Sequence, residues 1–96
     1  MQRVLAAAIG FTSIAAAMAA SAEPPAGAAA CSGCHPASTR VASPVPRLAG
    51  LDRTAIVRAL QDFRSGARAA TVMDRIAKGF TDAEIQAIAA WYATQK

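Results

Sequence analysis

The feature that most limits how this chain can fold is the run Cys31-Ser32-Gly33-Cys34-His35. It contains both cysteines and the one histidine of the 96-residue chain. On a helix, residues three and four positions apart lie on one face, so the two thiols and the imidazole would point the same way. A small chain that gathers its strongest ligands in one turn is expected to fold around whatever they bind.

The C-x-x-C-H spacing is typical of the attachment site of a c-type haem. Both thiols could add to the vinyl groups of the haem while the imidazole of His35 binds the iron from below. Three alternatives remain open. A disulfide between Cys31 and Cys34 leaves His35 without a role, a thioredoxin-type pair needs a βαβ context, and a zinc site needs a fourth ligand. The chain has no βαβ pattern and only scattered carboxylates elsewhere, so we favour covalent haem attachment.

Residues 1–22 predict a secretory signal peptide. Arg3 provides a short positive start, an uncharged Ala-rich stretch follows, and Ala20-Ser21-Ala22 offers small residues for a signal peptidase. We therefore expect cleavage, a periplasmic location and no stable membrane insertion of the mature chain. The alternative is an uncleaved anchor, for which the uncharged stretch is barely long enough.

Length and charge limit the number of domains and the kinds of partner. The chain allows one small domain, expected over residues 23–96 after cleavage. At that size an apolar core alone is marginal, so a bound cofactor would also act as a staple. The formal charge of +4 is spread along the chain rather than packed into a basic run, so no nucleic-acid partner is expected.

The small residues at 28–35 and the prolines that follow predict a short first helix and then a long loop. Residues 28–35 are small apart from the cysteines and the histidine, and Pro36 would stop or bend a helix there. Residues 36–50 combine prolines with several Ser and Thr, which indicates an extended loop without a strand.

A second helix is expected between an N-cap at Asp52 and a stop at Gly66. Its apolar positions recur at helical spacing on one face and are Ile56, Ala59, Leu60 and Phe63. Residues 67–72 then read as a linker, and residues 74–78 could form one helical turn closed by Gly79.

The last helix is predicted by a capping box, with Thr81 at the N-cap and Glu84 three residues later. Its apolar positions repeat the same spacing and are Ile85, Ile88, Ala89 and Tyr92. Because no stretch alternates with a period of two, we expect an all-α fold.

Met73, expected in a loop region well after His35, is the candidate for the second axial ligand, since Met1 and Met18 would leave with the signal peptide. Without a second histidine, bis-histidine ligation within one chain is excluded. His/Met ligation is typical of electron-transfer cytochromes c and raises the reduction potential. Met73 could instead fill the core, with Lys78 and Tyr92 as weaker ligands. An open sixth position would indicate sensing or peroxidase chemistry.

The polar surroundings of the iron are less determined by sequence. His35 should donate its second ring N–H to a backbone carbonyl, and Pro46 lies in a suitable loop, although spacing alone does not decide this. Seven arginines lie between Arg40 and Arg75. They would ordinarily be solvated, but some could pair with haem propionates or form a docking rim for an acidic partner.

Taken in order, these features resemble a class I cytochrome c over about residues 28–96. The resemblance rests on the haem motif, the Pro-Arg-Leu-Ala-Gly segment at 46–50, the Met73 region and the terminal helix. Within that family the chain is similar to the cytochrome subunit of flavocytochrome c sulfide dehydrogenase. The most specific part is the Met-x-Arg-Ile-Ala-Lys-Gly run at 73–79.

The resemblance implies a small class I cytochrome c fold around one covalently attached haem c, with the first and last helices packed across each other. It implies His35 below the iron, Met73 above it and the Pro46 carbonyl on the His35 ring. It further implies one-electron transfer from a flavoprotein sulfide dehydrogenase subunit, which carries the FAD, to a downstream cytochrome or oxidase. The alternative is a free-standing monohaem shuttle for another periplasmic dehydrogenase or a terminal oxidase. In neither case would the chain be catalytic by itself.

Two features depart from the family pattern. Many such subunits carry two haem domains, whereas a single-haem version is expected here. Pro36 follows the haem histidine where many members have Gly, which changes the expected path of the loop but not the ligation.

Overall fold

A computed structural model describes residues 23–96, so the predicted signal peptide lies outside the described residues. The described chain forms four α-helices: α1 (Ala28–Cys31), α2 (Arg53–Ser65), α3 (Met73–Ala77) and α4 (Asp82–Thr94). Residues 23–96 contain no strand, which confirms the predicted all-α fold. Over the same residues, none of the helices has the length and apolar character needed to cross a bilayer.

Helix α2 begins and ends at the capping residues that the sequence predicted. The Asp52 carboxylate accepts a hydrogen bond of 3.0 Å from the Ala55 backbone N–H, which would otherwise have no partner in the first turn. Gly66 ends the helix with a φ of 83°. Glycine adopts this left-handed conformation without a steric penalty, and the prediction for α2 is confirmed.

Helix α4 is stabilised by the predicted capping box. The Glu84 backbone N–H donates to the Thr81 hydroxyl at 3.2 Å, and the Thr81 backbone N–H donates to the Glu84 carboxylate at 3.0 Å. These hydrogen bonds, the backbone one first, hold the pKa of Glu84 below its ordinary value because they favour the charged form. The apolar side chains that the spacing assigned to one face are all buried: Ile85, Ile88, Ala89 and Tyr92.

Helix α1 is shorter than predicted. It ends at Cys31, and residues 32–35 continue as turns rather than as α-helix. The backbone N–H of His35 still donates to the Cys31 carbonyl at 2.9 Å, so the chain keeps a helical sense of winding. Gly33 is a poor helix former, and Pro36 disfavours helical geometry for the residue before it, which accounts for the early end.

Met73 lies in a helix, which corrects its expected place in a loop. It is the first residue of α3, one position earlier than the turn predicted from Asp74. Val72 acts as the N-cap, and its carbonyl accepts the Ile76 backbone N–H at 3.1 Å. Asp74 in the first turn is favourable because the N-terminal end of a helix carries partial positive charge.

The core lies where α4 meets α1 and α2. Its buried members are Ala28, Ile56, Ile88, Ala89 and Tyr92. The Tyr92 hydroxyl donates to the Ala28 carbonyl, which joins the first helix to the last as predicted. Burial raises the pKa of Tyr92, so its hydroxyl remains a donor at neutral pH.

Two loop contacts fix the ends of the helices relative to each other. Arg64 at the end of α2 forms an ion pair with Asp82 at the start of α4 and also donates to the Phe80 carbonyl at 3.4 Å. Residues 36–50 form the predicted loop without regular structure, and Gly50 at its end donates its N–H to the Tyr92 carbonyl at 3.0 Å. The loop is thereby tied to α4.

Candidate haem-binding site

One cavity brings together the residues that the sequence favoured for haem attachment and ligation. Its volume is about 780 Å³, and its wall includes Cys31, Cys34, His35, Pro46 and Met73. Cofactor cavities commonly have volumes of about 300–1,000 Å³, so the space is sufficient for a large prosthetic group. Residues that are up to 42 positions apart in the chain therefore meet at one place.

The rest of the wall is largely apolar, and much of it comes from α2. The predicted apolar face of this helix borders the cavity through Ile56, Ala59, Leu60 and Phe63. Ile56 is the buried residue of α2. The remaining surface of that face would leave water only when an apolar group fills the cavity.

The two cysteines are free thiols, as covalent attachment of a cofactor requires. Cys31 is half-buried and its thiol donates to the Gly27 carbonyl at 3.4 Å, whereas Cys34 is exposed. Burial raises the pKa of the Cys31 thiol above its ordinary value, and a hydrogen bond with the backbone of Cys31 itself only partly offsets this. Both cysteines lie in the wall of the cavity, although Cys34 is outside α1.

The imidazole of His35 is oriented by the loop. Its Nδ1 lies 2.5 Å from the Pro46 carbonyl oxygen. A carbonyl can only accept, so this contact requires the proton on Nδ1 and leaves the lone pair of Nε2 available to a metal. The loop itself is held by Arg47, whose Nε donates to the Ala37 carbonyl at 3.1 Å. Sequence reasoning missed the hydrogen bond between Arg47 and Ala37, since nothing in the spacing of these two residues indicates it.

Met73 is the first residue of α3, is half-buried and lies in the wall of the cavity. The weaker candidates are placed elsewhere. Tyr92 uses its hydroxyl on Ala28, and neither Tyr92 nor the exposed Lys78 lines the cavity. Among residues 23–96, no three His, Cys, Asp or Glu side chains form a group able to hold a bare metal ion.

The donor set fits a haem c. Two free thiols, an imidazole with its orientation set and a thioether border a large apolar cavity in an all-α domain. Soft thioether and imidazole ligands are those that cytochromes c offer to haem iron. Fold and site together define a c-type cytochrome.

Comparison with known proteins supports this class. The chain is 42% identical over 62 residues to the cytochrome subunit of sulfide dehydrogenase from Chlorobaculum tepidum, covering 65% of this chain and 56% of that protein. It is 45% identical over 65 residues to the thiosulfate dehydrogenase electron acceptor of Stutzerimonas stutzeri, covering 66% and 30%. It is 38% identical over 65 residues to cytochrome c-552 of Acidithiobacillus ferridurans, covering 68% and 28%. No protein-family profile matches the chain.

The chain resembles the class I cytochromes c and is similar to the cytochrome subunit of sulfide dehydrogenase, as its sequence predicted. The match spans little more than half of that subunit and less than a third of the other two relatives. The cytochrome relatives imply a covalently bound haem c.

Proposed function

We propose that the chain is a periplasmic carrier of single electrons that holds one haem c over residues 23–96 after removal of a signal peptide over residues 1–22. The observation that carries the proposal is the meeting of Cys31, Cys34, His35 and Met73 in the wall of one cavity. When bound, a haem c takes up and releases one electron at its iron.

Each side chain has a distinct task in this proposal. The thiols of Cys31 and Cys34 would form the covalent links that keep the cofactor in place. His35, with its Nδ1–H directed at the Pro46 carbonyl, would supply its Nε2 to the iron. The thioether of Met73 would be the second protein ligand, a pairing that raises the reduction potential. The apolar wall would keep water away from the metal.

We further propose that the electron donor is the flavoprotein subunit of a sulfide dehydrogenase, with FAD on that subunit only. The relative from Chlorobaculum tepidum supports this by its name and its identity of 42%, as does the run at 73–79. The flavoprotein would oxidise sulfide, and this chain would pass the electrons on to a downstream cytochrome or oxidase. The chain would not be catalytic by itself.

A free-standing shuttle is the second candidate. It is supported by the similarity to a thiosulfate dehydrogenase electron acceptor and to a cytochrome c-552, neither of which is named as a sulfide dehydrogenase subunit. Such a carrier would serve another periplasmic dehydrogenase or a terminal oxidase.

The haem assignment is tested with full-length protein expressed in a host that attaches haem c. We expect a pyridine haemochrome spectrum with one haem per chain, an N-terminus at Glu23 and no carbon monoxide binding by the reduced protein. Met73→Ala should bind carbon monoxide and have a lower potential. Ile76→Ala is the matched control, because Ile76 lies on the same helix and also lines the cavity. Carbon monoxide binding by the unsubstituted protein would contradict Met73 ligation.

The partner is tested by affinity capture of the tagged holo-protein from periplasmic extract. Under the sulfide dehydrogenase proposal, a FAD-containing protein co-purifies and sulfide reduces the haem only when that protein is present. A monodisperse lone cytochrome, reduced instead by a different dehydrogenase, would favour the free-standing shuttle.

A further inference from the structure

One charged side chain breaks the neutral, mostly apolar wall of the haem cavity. Among the described residues, Arg68 is the one arginine that lines this cavity, and no lysine, aspartate or glutamate lines it. Arg68 lies between α2 and α3, on the stretch that leads to Met73. A cation in this position could bind an anionic group of the cofactor that fills the cavity.

The position of Arg68 is built by the end of α2. Gly66 takes the left-handed conformation with a φ of 83°, which turns the chain back. The Arg68 backbone N–H then donates to the Asp62 carbonyl at 3.2 Å. The guanidinium carbon lies 4.9 Å from the centroid of the Phe63 ring, a cation–π distance, and that ring lines the cavity itself. The guanidinium is therefore held beside the cavity.

Arg68 has no acidic partner among residues 23–96. The ion pair of this part of the chain joins Arg64 to Asp82. Arg68 is exposed, so its planar set of N–H donors remains available for an anion. A guanidinium can bind a carboxylate through two parallel hydrogen bonds.

The other arginines are used differently. Arg47 donates to Ala37, Arg53 donates to Gln86, and Arg64 pairs with Asp82. The remaining three, Arg40, Arg58 and Arg75, are exposed and lie outside the cavity wall. Of the seven candidates in the sequence, the structure brings one to the cofactor cavity.

We propose that Arg68 binds a propionate carboxylate of the haem and thereby anchors the polar edge of the cofactor and raises its reduction potential. This inference rests on the proposed function. A haem is an apolar ring with carboxylates at one edge, and an apolar wall with one cation at its margin matches that distribution of charge. A positive charge close to the iron favours the reduced form, because that form carries one positive charge less.

The test is the midpoint potential of the holo-protein with Arg68→Gln, Arg68→Lys and Arg58→Gln. Arg68→Gln should lower the potential clearly. Arg68→Lys keeps the charge but not the paired hydrogen-bond geometry, so its potential should stay close to that of the unsubstituted protein. Arg58→Gln removes the same charge from an exposed site outside the wall, so its shift should be much smaller.

A second readout separates direct contact from a general structural effect. In the redox-induced infrared difference spectrum of protein carrying ¹³C-labelled propionates, the carboxylate bands should shift in Arg68→Gln and stay unchanged in Arg58→Gln. If Arg68→Gln loads too little haem for electrochemistry, Arg68→Lys provides the same infrared comparison. Unchanged propionate bands in both Arg68 variants, or equal potential shifts for Arg68→Gln and Arg58→Gln, would overturn the proposal.

These outcomes are distinct from failure of the proposed function. If the unsubstituted protein carries no covalent haem, the proposed function fails before Arg68 is tested. If the haem is present with Met73 bound but Arg68 leaves the propionates and the potential unaffected, only the role of Arg68 is wrong.

Discussion

Helices α2 and α4 carry apolar side chains at the same spacing and bury them differently. The apolar face of α4 is buried in the protein core, where Ile85 is 0% exposed and Ile88 is 1% exposed. In α2 only Ile56 is buried, and the same kind of face borders the haem cavity. Helical periodicity thus identifies a face that must be covered, but not whether protein or cofactor covers it.

The largest effect is expected from Cys31→Ala combined with Cys34→Ala. Without covalent attachment the double variant should lose its haem. The apolar face of α2 would then be exposed to water, so most of the cooperativity of unfolding should be lost as well. Haem staining after denaturing electrophoresis and circular dichroism check this. Ser32→Ala is the control, since Ser32 lies between the cysteines, is exposed and lines a different cavity. Full haem retention by the double variant would show that the thiols are not the point of attachment.

A paired truncation sharpens the contrast between the two helices. Ile85→Ala should cost about 2–5 kcal/mol of unfolding free energy, as for a buried large apolar side chain, and leave the haem potential unchanged. Leu60→Ala should instead lower the potential by admitting water to the cavity wall, with a smaller loss of stability. Thermal unfolding and electrochemistry on both holo-proteins measure the two effects. If both variants changed only stability, α2 would be an ordinary core helix.

Two glycines at the ends of helices separate packing from backbone strain. Gly27→Ala would place Cβ 2.5 Å from Phe80 Cε1 and require a φ of 87°. Gly66→Ala requires a φ of 83° but meets nothing within 4 Å. The left-handed conformation costs about 1–2 kcal/mol, and displacing the Phe80 ring should add about 1–3 kcal/mol at Gly27 alone. Chemical denaturation measures both variants, and equal losses would mean that Phe80 moves aside freely.

The smallest effect is expected at the capping box of α4. The pKa of Glu84 is lowered in the folded chain by its hydrogen bonds to Thr81. Its contribution to stability is therefore complete above the ordinary glutamate pKa of about 4.3 and is lost as the pH falls through the lower folded value. Glu84→Gln keeps an acceptor that does not titrate, so it should flatten the acid limb of stability against pH. An unchanged acid limb would assign that limb to other carboxylates.

Local chemistry accounts for most of what could be predicted. Asp52 and Gly66 define the ends of α2 because a carboxylate can accept a free backbone N–H and glycine can adopt positive φ. Thr81 and Glu84 define α4 by the same kind of short-range hydrogen bonding. The spacing of Cys31, Cys34 and His35 indicates haem attachment because it depends on one turn of chain only.

Helix ends and long-range contacts are what the sequence could not show. The end of α1 at Cys31 and the start of α3 at Met73 depend on competition between local turns, and such boundaries shift by a residue or more. The placement of Arg68 over Phe63 and beside the cavity depends on the return of the chain after α2.

The amino-acid order alone thus determined the helical class and the helix caps and indicated the haem-attachment motif, because each depends on groups within about one helical turn. The tertiary structure decided which apolar face borders a cavity, which carbonyl lies against His35 and which arginine lies in the cavity wall. These are distances between residues far apart in the chain, and no local spacing encodes them.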